Sequence, residues 1–208
     1  MTNAPIIGDD VVDLADPVTA TAHLRPRYVA RVCSVDEVER VNASNDPSTL
    51  LWSLFAAKEA AFKAISKVRP GAVFAHRQFE VSDDLRFVRY RDLTLRVTIR
   101  SYDDCVHAVA VLGHSEGEAF GDVVFGVERV ALDADLSVEA RRLLSTSLAP
   151  HLDCDADDLY VYREPIPGSW SGFGPPILRR AGSPTSRDIS LSHDGRFVSF
   201  AAVQRPQP

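Results

Sequence analysis

The clearest pattern in the chain is a helical one that follows Asp46 and Pro47. Apolar side chains recur every three or four residues and form one stripe, made of Leu51, Leu54, Phe55, Phe62 and Ile65. Proline is well tolerated in the first turn of a helix, so the pattern predicts that a helix begins here. At about 100° per residue, Lys58 falls inside the apolar stripe.

The charged residues of this helix have more than one interpretation. A buried charge is costly unless it is paired or holds an ion, so Lys58 forms an internal ion pair, extends its ammonium group to water, or faces a charged ligand. Glu59 and Lys63 share a flank with Trp52 and are spaced as i and i+4, the commonest acid–base pair on a helix surface. The helix by itself leaves these alternatives open.

Other segments have the pattern of strands. Residues 5–14 form a short apolar run interrupted by acids, and residues 93–99 alternate between apolar and polar positions. Residues 188–202 indicate a hairpin, because Asp194-Gly195 is a favourable tight turn between two segments of this kind. Antiparallel sheet is therefore expected in both halves of the chain.

Asp10 is unusual within the first of these segments, because aspartate is disfavoured inside a strand. One interpretation ends the strand at Gly8 and treats Asp9 and Asp10 as ordinary loop acids. The other holds the Asp10 carboxylate rigidly for a hard cation, while Gly8 lets the backbone approach another element. Mg²⁺ suits such a site, since it is typically bound by one or two carboxylates together with phosphate oxygens.

The two motifs together resemble those of the 4′-phosphopantetheinyl transferases. In this chain they read Gly8-Asp9-Asp10-Val-Val and, further on, Trp52-(five residues)-Lys58-Glu59-(three residues)-Lys63. The resemblance implies that Asp10 and Glu59 bind Mg²⁺, with Mn²⁺ as a substitute. It also implies that Lys63 contacts phosphate or takes part in proton transfer with Glu59, and that Lys58 lies close to the coenzyme A pyrophosphate.

A third element near the C-terminus extends the resemblance. Ser192-His193 precedes the hairpin turn, as a Ser-His pair does in the family, which implies contacts with coenzyme A phosphate. Upstream we expect an amphipathic helix that contains Arg141, a strand at residues 158–162 and a Gly-x-Pro turn at residues 174–176. The family implies that Arg141 meets the 3′-phosphate of coenzyme A; the alternative is a solvated helix face.

The resemblance also implies a fold. It is an α+β fold of two similar lobes related by a pseudo-two-fold axis, each an antiparallel sheet packed with helices. The metal motifs occupy residues 1–118 and the Ser-His half occupies residues 119–208, so we expect the active site between the lobes. Two-lobed members have the Ser-His half first, which predicts a circular permutation here. Residues 102–112 are weakly similar in sequence to residues 192–203, which would make His107 the counterpart of His193.

Two positions depart from the family pattern. Val12 stands where two-lobed members carry a third metal-binding carboxylate, although water completes an Mg²⁺ shell readily. Pro175 replaces a lysine that meets coenzyme A, and Arg179 or Arg180 is a candidate substitute. These departures keep open a catalytically degenerate module that binds coenzyme A or a carrier protein without transferring anything.

The activity implied by the resemblance is transfer of 4′-phosphopantetheine from coenzyme A to a serine of an apo acyl or peptidyl carrier protein, releasing adenosine 3′,5′-bisphosphate. The enzyme would be of the holo-[acyl-carrier-protein] synthase type. Arg25, Arg27 and Arg31 follow the metal strand, where single-lobed synthases have arginines that contact the carrier. The alternative for this cluster is a solvated loop. A Mg²⁺-dependent phosphohydrolase with the same carboxylates is a further alternative for the activity.

Composition agrees with these expectations without choosing a function. The 208 residues are 45% hydrophobic with a net charge of −6, which provides one large core or two small ones. No basic stripe with interleaved aromatics is present, so we expect no nucleic-acid partner. The three cysteines are not spaced as metal ligands, and neither a leader nor a membrane span is recognisable. We therefore expect a cytoplasmic monomer that does not bind membranes.

Overall fold

The computed structural model describes residues 5–113, 120, 123–166 and 172–203. Its strands form two antiparallel sheets. The first sheet is built from β1 to β5, at Ile6–Asp13, Glu80–Val81, Phe87–Tyr90, Leu93–Ser101 and Cys105–Leu112. The second is built from β6 to β10, at Val123–Arg129, Leu159–Pro165, Phe173–Arg180, Ser183–Asp194 and Phe197–Val203. The helices are α1 to α5, at Pro17–Ala20, Pro26–Val32, Val35–Ala43, Pro47–Val68 and Leu136–Leu152.

The long helix α4 begins where the sequence predicts. Pro47 is its first residue, and the Asp46 side chain accepts a hydrogen bond from the Thr49 amide, which caps the helix. Its apolar stripe is buried against the first sheet. A side chain at Gly8 would overlap the backbone carbonyl of Ala60, so glycine is what lets β1 lie directly against α4.

The two sheets repeat the same strand order. The first runs β1-β5-β4-β3-β2 and the second β6-β10-β9-β8-β7, so each strand of the second sheet corresponds to the strand five places earlier. A main helix follows the first strand of each set, α4 in the first and α5 in the second. The predicted α+β fold of two similar lobes is therefore confirmed; the lobe boundary at residue 118 and the permuted order stay predictions. We call β1–β5 with α1–α4 the first lobe, and β6–β10 with α5 the second lobe.

Two local expectations are wrong. His107 lies on β5, whose counterpart is β10, whereas His193 lies on β9, so the two histidines do not occupy equivalent places. The expected turn at residues 174–176 is part of strand β8. Proline is tolerated there because the pairing of β8 with both neighbours shifts register nearby.

Each lobe has its own core. In the first lobe α4 packs on the sheet around residues such as Leu54, Ile65 and Leu95, and in the second α5 packs through Leu144 and Leu148. Across the described ranges, no helix combines the length and apolar character that crossing a membrane requires.

Candidate active site

The two sequence motifs meet because α4 packs against β1. Alternate side chains of a strand face opposite sides of the sheet, and Asp10 faces α4. The ammonium group of Lys63 donates to Asp10 Oδ1 at 2.9 Å and to the Asp9 carbonyl oxygen at 2.9 Å. The fold thus brings Asp10 and Lys63 into direct contact.

The second lobe completes this cluster with Ser192 of β9. Its hydroxyl donates to Asp10 Oδ1 at 2.9 Å and accepts from the Lys63 ammonium group at 3.0 Å. Ser192 is only 7% exposed and Asp10 only 5%. Three polar groups from both lobes therefore form a closed triangle of hydrogen bonds at the boundary between the lobes.

Glu59 lies one helical turn before Lys63 and is partly buried. Burial and the nearby Asp10 carboxylate raise the pKa of Glu59 to about 7, with Asp194 adding to the shift and Lys63 opposing it. Burial alone would lower the pKa of Lys63, but the carboxylates of Asp10, Asp9 and Glu59 outweigh it and raise that pKa. The site thus holds a protonated lysine beside a carboxyl group that titrates near neutrality.

The cluster has the donor groups that a divalent cation needs. Oδ2 of Asp10 is buried and has no hydrogen-bond partner, and burial raises the pKa of this carboxyl group. A cation held by Asp10 and Glu59 would give Asp10 Oδ2 a partner, and two carboxylates with phosphate oxygens suit Mg²⁺. Among the described residues no group of three or more His, Cys, Asp and Glu side chains could hold a metal. Val12 is packed in the core of the first lobe and supplies no third carboxylate to the pair formed by Asp10 and Glu59.

The structure corrects the role expected for Lys58. It is 0% exposed, and its ammonium group lies 2.5 Å from the Glu37 carboxylate and donates to the Val32 carbonyl at 2.9 Å. Glu37 in turn accepts from the Val81 amide at 2.9 Å. The predicted contact of Lys58 with coenzyme A is wrong, because its charge is neutralised inside the first lobe. The internal ion pair left open by the sequence is the correct alternative.

Several buried contacts between the lobes were missed by sequence reasoning. Asp9 accepts from the Ser199 hydroxyl of the second lobe at 2.6 Å. Within the first lobe, Asp9 also lies 3.4 Å from His107 Nε2. Lys67 pairs with Asp188 at 2.9 Å. A signal was present, because residues 188–192 alternate between polar and apolar positions. That alternation indicates a polar face opposite the apolar one, but not what the polar face contacts.

The second-lobe residues predicted to bind coenzyme A lie on different elements and have different partners. His193 is exposed on β9, next to Ser192. Arg141 is in the second turn of α5, where its guanidinium group donates to the carbonyl and hydroxyl oxygens of Ser137. Burial and the nearby charge of Arg141 lower the pKa of Arg163, which places these two arginines close together.

Arg163 was missed, although it occupies an inward position of β7 where Leu159 and Val161 precede it. A charge at an apolar position was the available signal. The two suggested substitutes for the missing lysine have other partners. Arg180 donates to carbonyl oxygens at the end of α5, and Arg179 stacks over the ring of Tyr162 with its guanidinium carbon 4.8 Å from the centroid.

The basic cluster is exposed at the start and along the surface of α2. Arg25 donates to the Thr21 hydroxyl at 3.2 Å, Arg27 is exposed, and the Arg31 guanidinium lies 5.2 Å from the centroid of the Tyr28 ring. Burial raises the pKa of Tyr28, and the charge of Glu59 adds to the shift. Tyr28, within the cluster, therefore lies within electrostatic range of Glu59.

Comparison with known proteins agrees with the motifs. The family model described as the 4′-phosphopantetheinyl transferase superfamily matches residues 6–110. A holo-[acyl-carrier-protein] synthase from Neisseria meningitidis is similar in structure, with 21% identity, a TM-score of 0.43, and coverage of 51% of this chain and 96% of its own. The corresponding synthase of Thermotoga maritima has 16% identity, a TM-score of 0.37, and coverage of 86% and 84%. No curated protein matches the chain.

Proposed function

The chain belongs to the 4′-phosphopantetheinyl transferase superfamily, and we propose that it transfers 4′-phosphopantetheine from coenzyme A to a serine of an apo acyl or peptidyl carrier protein. The observation that carries the proposal is the meeting of both motifs, with Lys63 2.9 Å from Asp10 and Glu59 close to both. Ser192 adds a contribution from the second lobe. The active site would therefore lie between the lobes.

Asp10 and Glu59 would hold Mg²⁺ in this proposal, with Mn²⁺ as a substitute. The partnerless oxygen of Asp10 and the raised pKa of Glu59 support this assignment. When bound, the ion supplies positive charge for the oxygens of the coenzyme A pyrophosphate. Lys63 provides a second positive charge at the same place.

Glu59 is the better candidate for the general base. Without metal its carboxyl group has a pKa of about 7, and a bound cation would keep it ionised, which is the form that accepts a proton. Lys63 has a raised pKa and is protonated, so a phosphate contact suits it better than proton abstraction. The serine oxygen attacks the β-phosphorus while Glu59 accepts the hydroxyl proton. The bond from that phosphorus to the leaving oxygen breaks, and adenosine 3′,5′-bisphosphate departs.

The negative groups of coenzyme A would be bound by residues of the second lobe. His193 is exposed beside the cluster, and Arg141 lies close to Arg163, which gives two positive charges for a phosphate. The hydroxyl of Ser192 is already engaged with Asp10 and Lys63. A direct contact of Ser192 with coenzyme A stays a prediction.

The carrier protein would dock on α2. Arg25, Arg27 and Arg31 are exposed there, and Tyr28 between them is close enough to Glu59 to be affected by its charge. A carrier serine presented from this side would reach the proposed base. We further propose that the protein acts as a monomer, since its two lobes supply both sides of the site.

Intact mass spectrometry of a panel of apo carrier proteins tests the function. Each carrier is incubated with the protein, coenzyme A and Mg²⁺, beside an Asp10→Ala/Glu59→Ala variant and an Asp36→Asn/Glu39→Gln control on the exposed surface of α3. We expect a gain of one phosphopantetheinyl group with the wild type and the control. The Asp10/Glu59 variant should give none, because it lacks the proposed metal ligands and base.

A second candidate is a binding module that holds coenzyme A or a carrier without transfer, which Val12 and Pro175 motivate. No modification of any carrier, in a protein that binds coenzyme A, would overturn the transferase and favour this module. Release of adenosine 3′,5′-bisphosphate from coenzyme A without a carrier would instead indicate a phosphohydrolase.

A further inference from the structure

The two lobes are joined by a regular series of hydrogen bonds between β1 and β9. β1 is an edge strand of the first sheet, and its outward amide groups have no neighbouring strand to pair with. Side chains of β9 accept from them instead, each 181 residues further along the chain: Ile7 N–Asp188 Oδ2 at 2.7 Å, Asp9 N–Ser190 Oγ at 3.0 Å and Asp13 N–Asp194 Oδ2 at 2.8 Å. The two strands therefore run parallel in one fixed register.

Ser192 is the exception in this series. The same register places it opposite Val11, between the contacts made by Ser190 and Asp194. Its hydroxyl leaves the series and instead contacts Asp10 Oδ1 and the Lys63 ammonium group, at 2.9 Å and 3.0 Å. Two serines of one strand face thus have different partners, Ser190 a backbone amide and Ser192 the polar cluster.

The end of the series is held by a second set of contacts. Arg196, in the β9–β10 turn, donates to both carboxylate oxygens of Asp13, at 2.7 Å and 2.8 Å. A side chain at Gly195 would overlap the Asp13 carboxylate, so the turn lies tightly against the end of β1. These contacts prevent β9 from sliding along β1, which fixes the place of Ser192.

The contact of Ser192 defines how the Asp10 carboxylate is oriented. Oδ1 accepts from both Ser192 and Lys63, whereas Oδ2 is left without a partner. A carboxylate held by one oxygen cannot rotate freely. Its other oxygen is therefore available to a cation in a defined direction.

We infer that Ser192 is a positioning residue, whose hydroxyl holds Asp10 and Lys63 so that Asp10 Oδ2 is presented to the metal and Lys63 to the phosphate. This inference rests on the proposed function of the site. It assigns to the second lobe a role in arranging the catalytic groups of the first. Ser190, the neighbouring buried serine of the series, has no such role and serves as a matched control.

The test compares Ser192→Ala, Ser192→Cys and Ser190→Ala with the wild type in three measurements. These are the Kd for Mn²⁺ alone, measured by electron paramagnetic resonance, the Kd for coenzyme A by calorimetry, and kcat for carrier modification. Loss of a group that orients a metal ligand typically costs about 10–100-fold in metal affinity or activity. We expect a loss of about 10-fold or more in Mn²⁺ affinity and in kcat for both Ser192 variants, with a smaller loss in the affinity for coenzyme A measured without metal. Ser190→Ala should keep both values within about two-fold. The cysteine variant replaces the hydroxyl with a somewhat larger thiol that is only a weak hydrogen-bond donor, and it carries the test if the alanine variant does not fold.

Each outcome bears on one hypothesis. Unchanged Mn²⁺ affinity in the Ser192 variants, or a loss confined to coenzyme A affinity, would overturn the positioning role. The same loss in Ser190→Ala as in Ser192→Ala would also overturn it, because lobe contact alone would explain both. A wild-type protein that modifies no carrier would contradict the proposed function, while weaker Mn²⁺ binding in the Ser192 variants would still support the positioning role.

Discussion

The ammonium group of Lys58 and the carboxylate of Glu37 lie 2.5 Å apart in the core of the first lobe, and neither side chain is exposed by more than 3%. Glu37 also closes the capping box of α3 with Ser34 and accepts from the Val81 amide. The pair therefore ties α4 to α3 and to β2. Its role is structural, since the charge of each partner is neutralised by the other away from solvent.

Replacing Lys58 should destabilise the protein without changing ligand binding. Lys58→Met leaves the Glu37 carboxylate buried and unpaired, which typically costs about 3–5 kcal/mol. Urea denaturation measures the loss, and calorimetry should give an unchanged Kd for coenzyme A. The double variant Lys58→Met/Glu37→Gln should recover part of the stability. A large loss of coenzyme A affinity in folded Lys58→Met would contradict the structural role.

Stability in the absence of metal should fall as the pH rises through neutrality. The pKa of Glu59 is raised from 4.5 to about 7 in the folded protein, so the folded state holds its proton more tightly than the unfolded state does. That stabilisation is fully present below about pH 4.5 and is lost as the pH rises through about 7. Glu59→Gln cannot titrate and should lack this component. By about pH 8 it should gain roughly 1–3 kcal/mol relative to the wild type. Urea denaturation of both proteins across this range provides the measurement; parallel pH profiles would refute the assignment.

Magnesium should stabilise the wild type through Asp10. A ligand that binds only the folded state at about 100 times its Kd adds about 2.7 kcal/mol. Asp10→Asn removes one of the two proposed ligands, so its melting temperature should respond little to Mg²⁺ or to its removal by a chelator. Asp36→Asn on exposed α3 should respond like the wild type. An equal shift in Asp10→Asn would exclude this residue as a ligand.

Gly8→Ala should disturb the contact between β1 and α4. The added methyl group would overlap the carbonyl oxygen of Ala60 and crowd the amide nitrogen of Ala64, and neither backbone group can move without shifting the helix. Overpacking of this kind costs about 1–3 kcal/mol and displaces the groups near it. We expect lower stability in urea together with a reduced transfer rate. Gly71→Ala makes a useful comparison, since its added carbon meets nothing within 4 Å; strain from its positive φ would lower stability without reducing the rate.

Charge reversal on α2 should weaken carrier use selectively. If the carrier presents an acidic surface to this basic cluster, as the proposed docking requires, Arg27→Glu/Arg31→Glu should raise KM for the carrier about 10-fold or more, because like charges would then repel. The Kd for coenzyme A should stay unchanged. Arg86→Glu/Arg91→Glu is a matched control, since Arg91 is also exposed and lies over a tyrosine ring, that of Tyr90. Equal effects of the two double variants would remove the case for docking on α2.

The parts of the site that sequence reasoning found are those with a local pattern. Helical spacing placed Glu59 and Lys63 on one flank of α4, and the acid within an apolar strand singled out Asp10. The same reasoning recognised that Lys58 occupies an apolar position, but its partner Glu37 is 21 residues away. Which buried charge finds an ion pair and which faces a ligand depends on how α3 packs against α4. That packing has no signature in the spacing.

The sequence by itself determined the helix α4, the strand β1 and the hairpin β9–β10, because each depends on periodicity and residue type over a short segment. The pair of metal-binding candidates came from the resemblance of these segments to the family's motifs. Only the tertiary structure decided that Lys58 is internal, that Arg163 lies near Arg141, and that Ser192 reaches Asp10. These relationships depend on the register between β1 and β9 and on the packing of helices. Such contacts join residues far apart in the chain, and many sequences with the same local pattern could satisfy them differently.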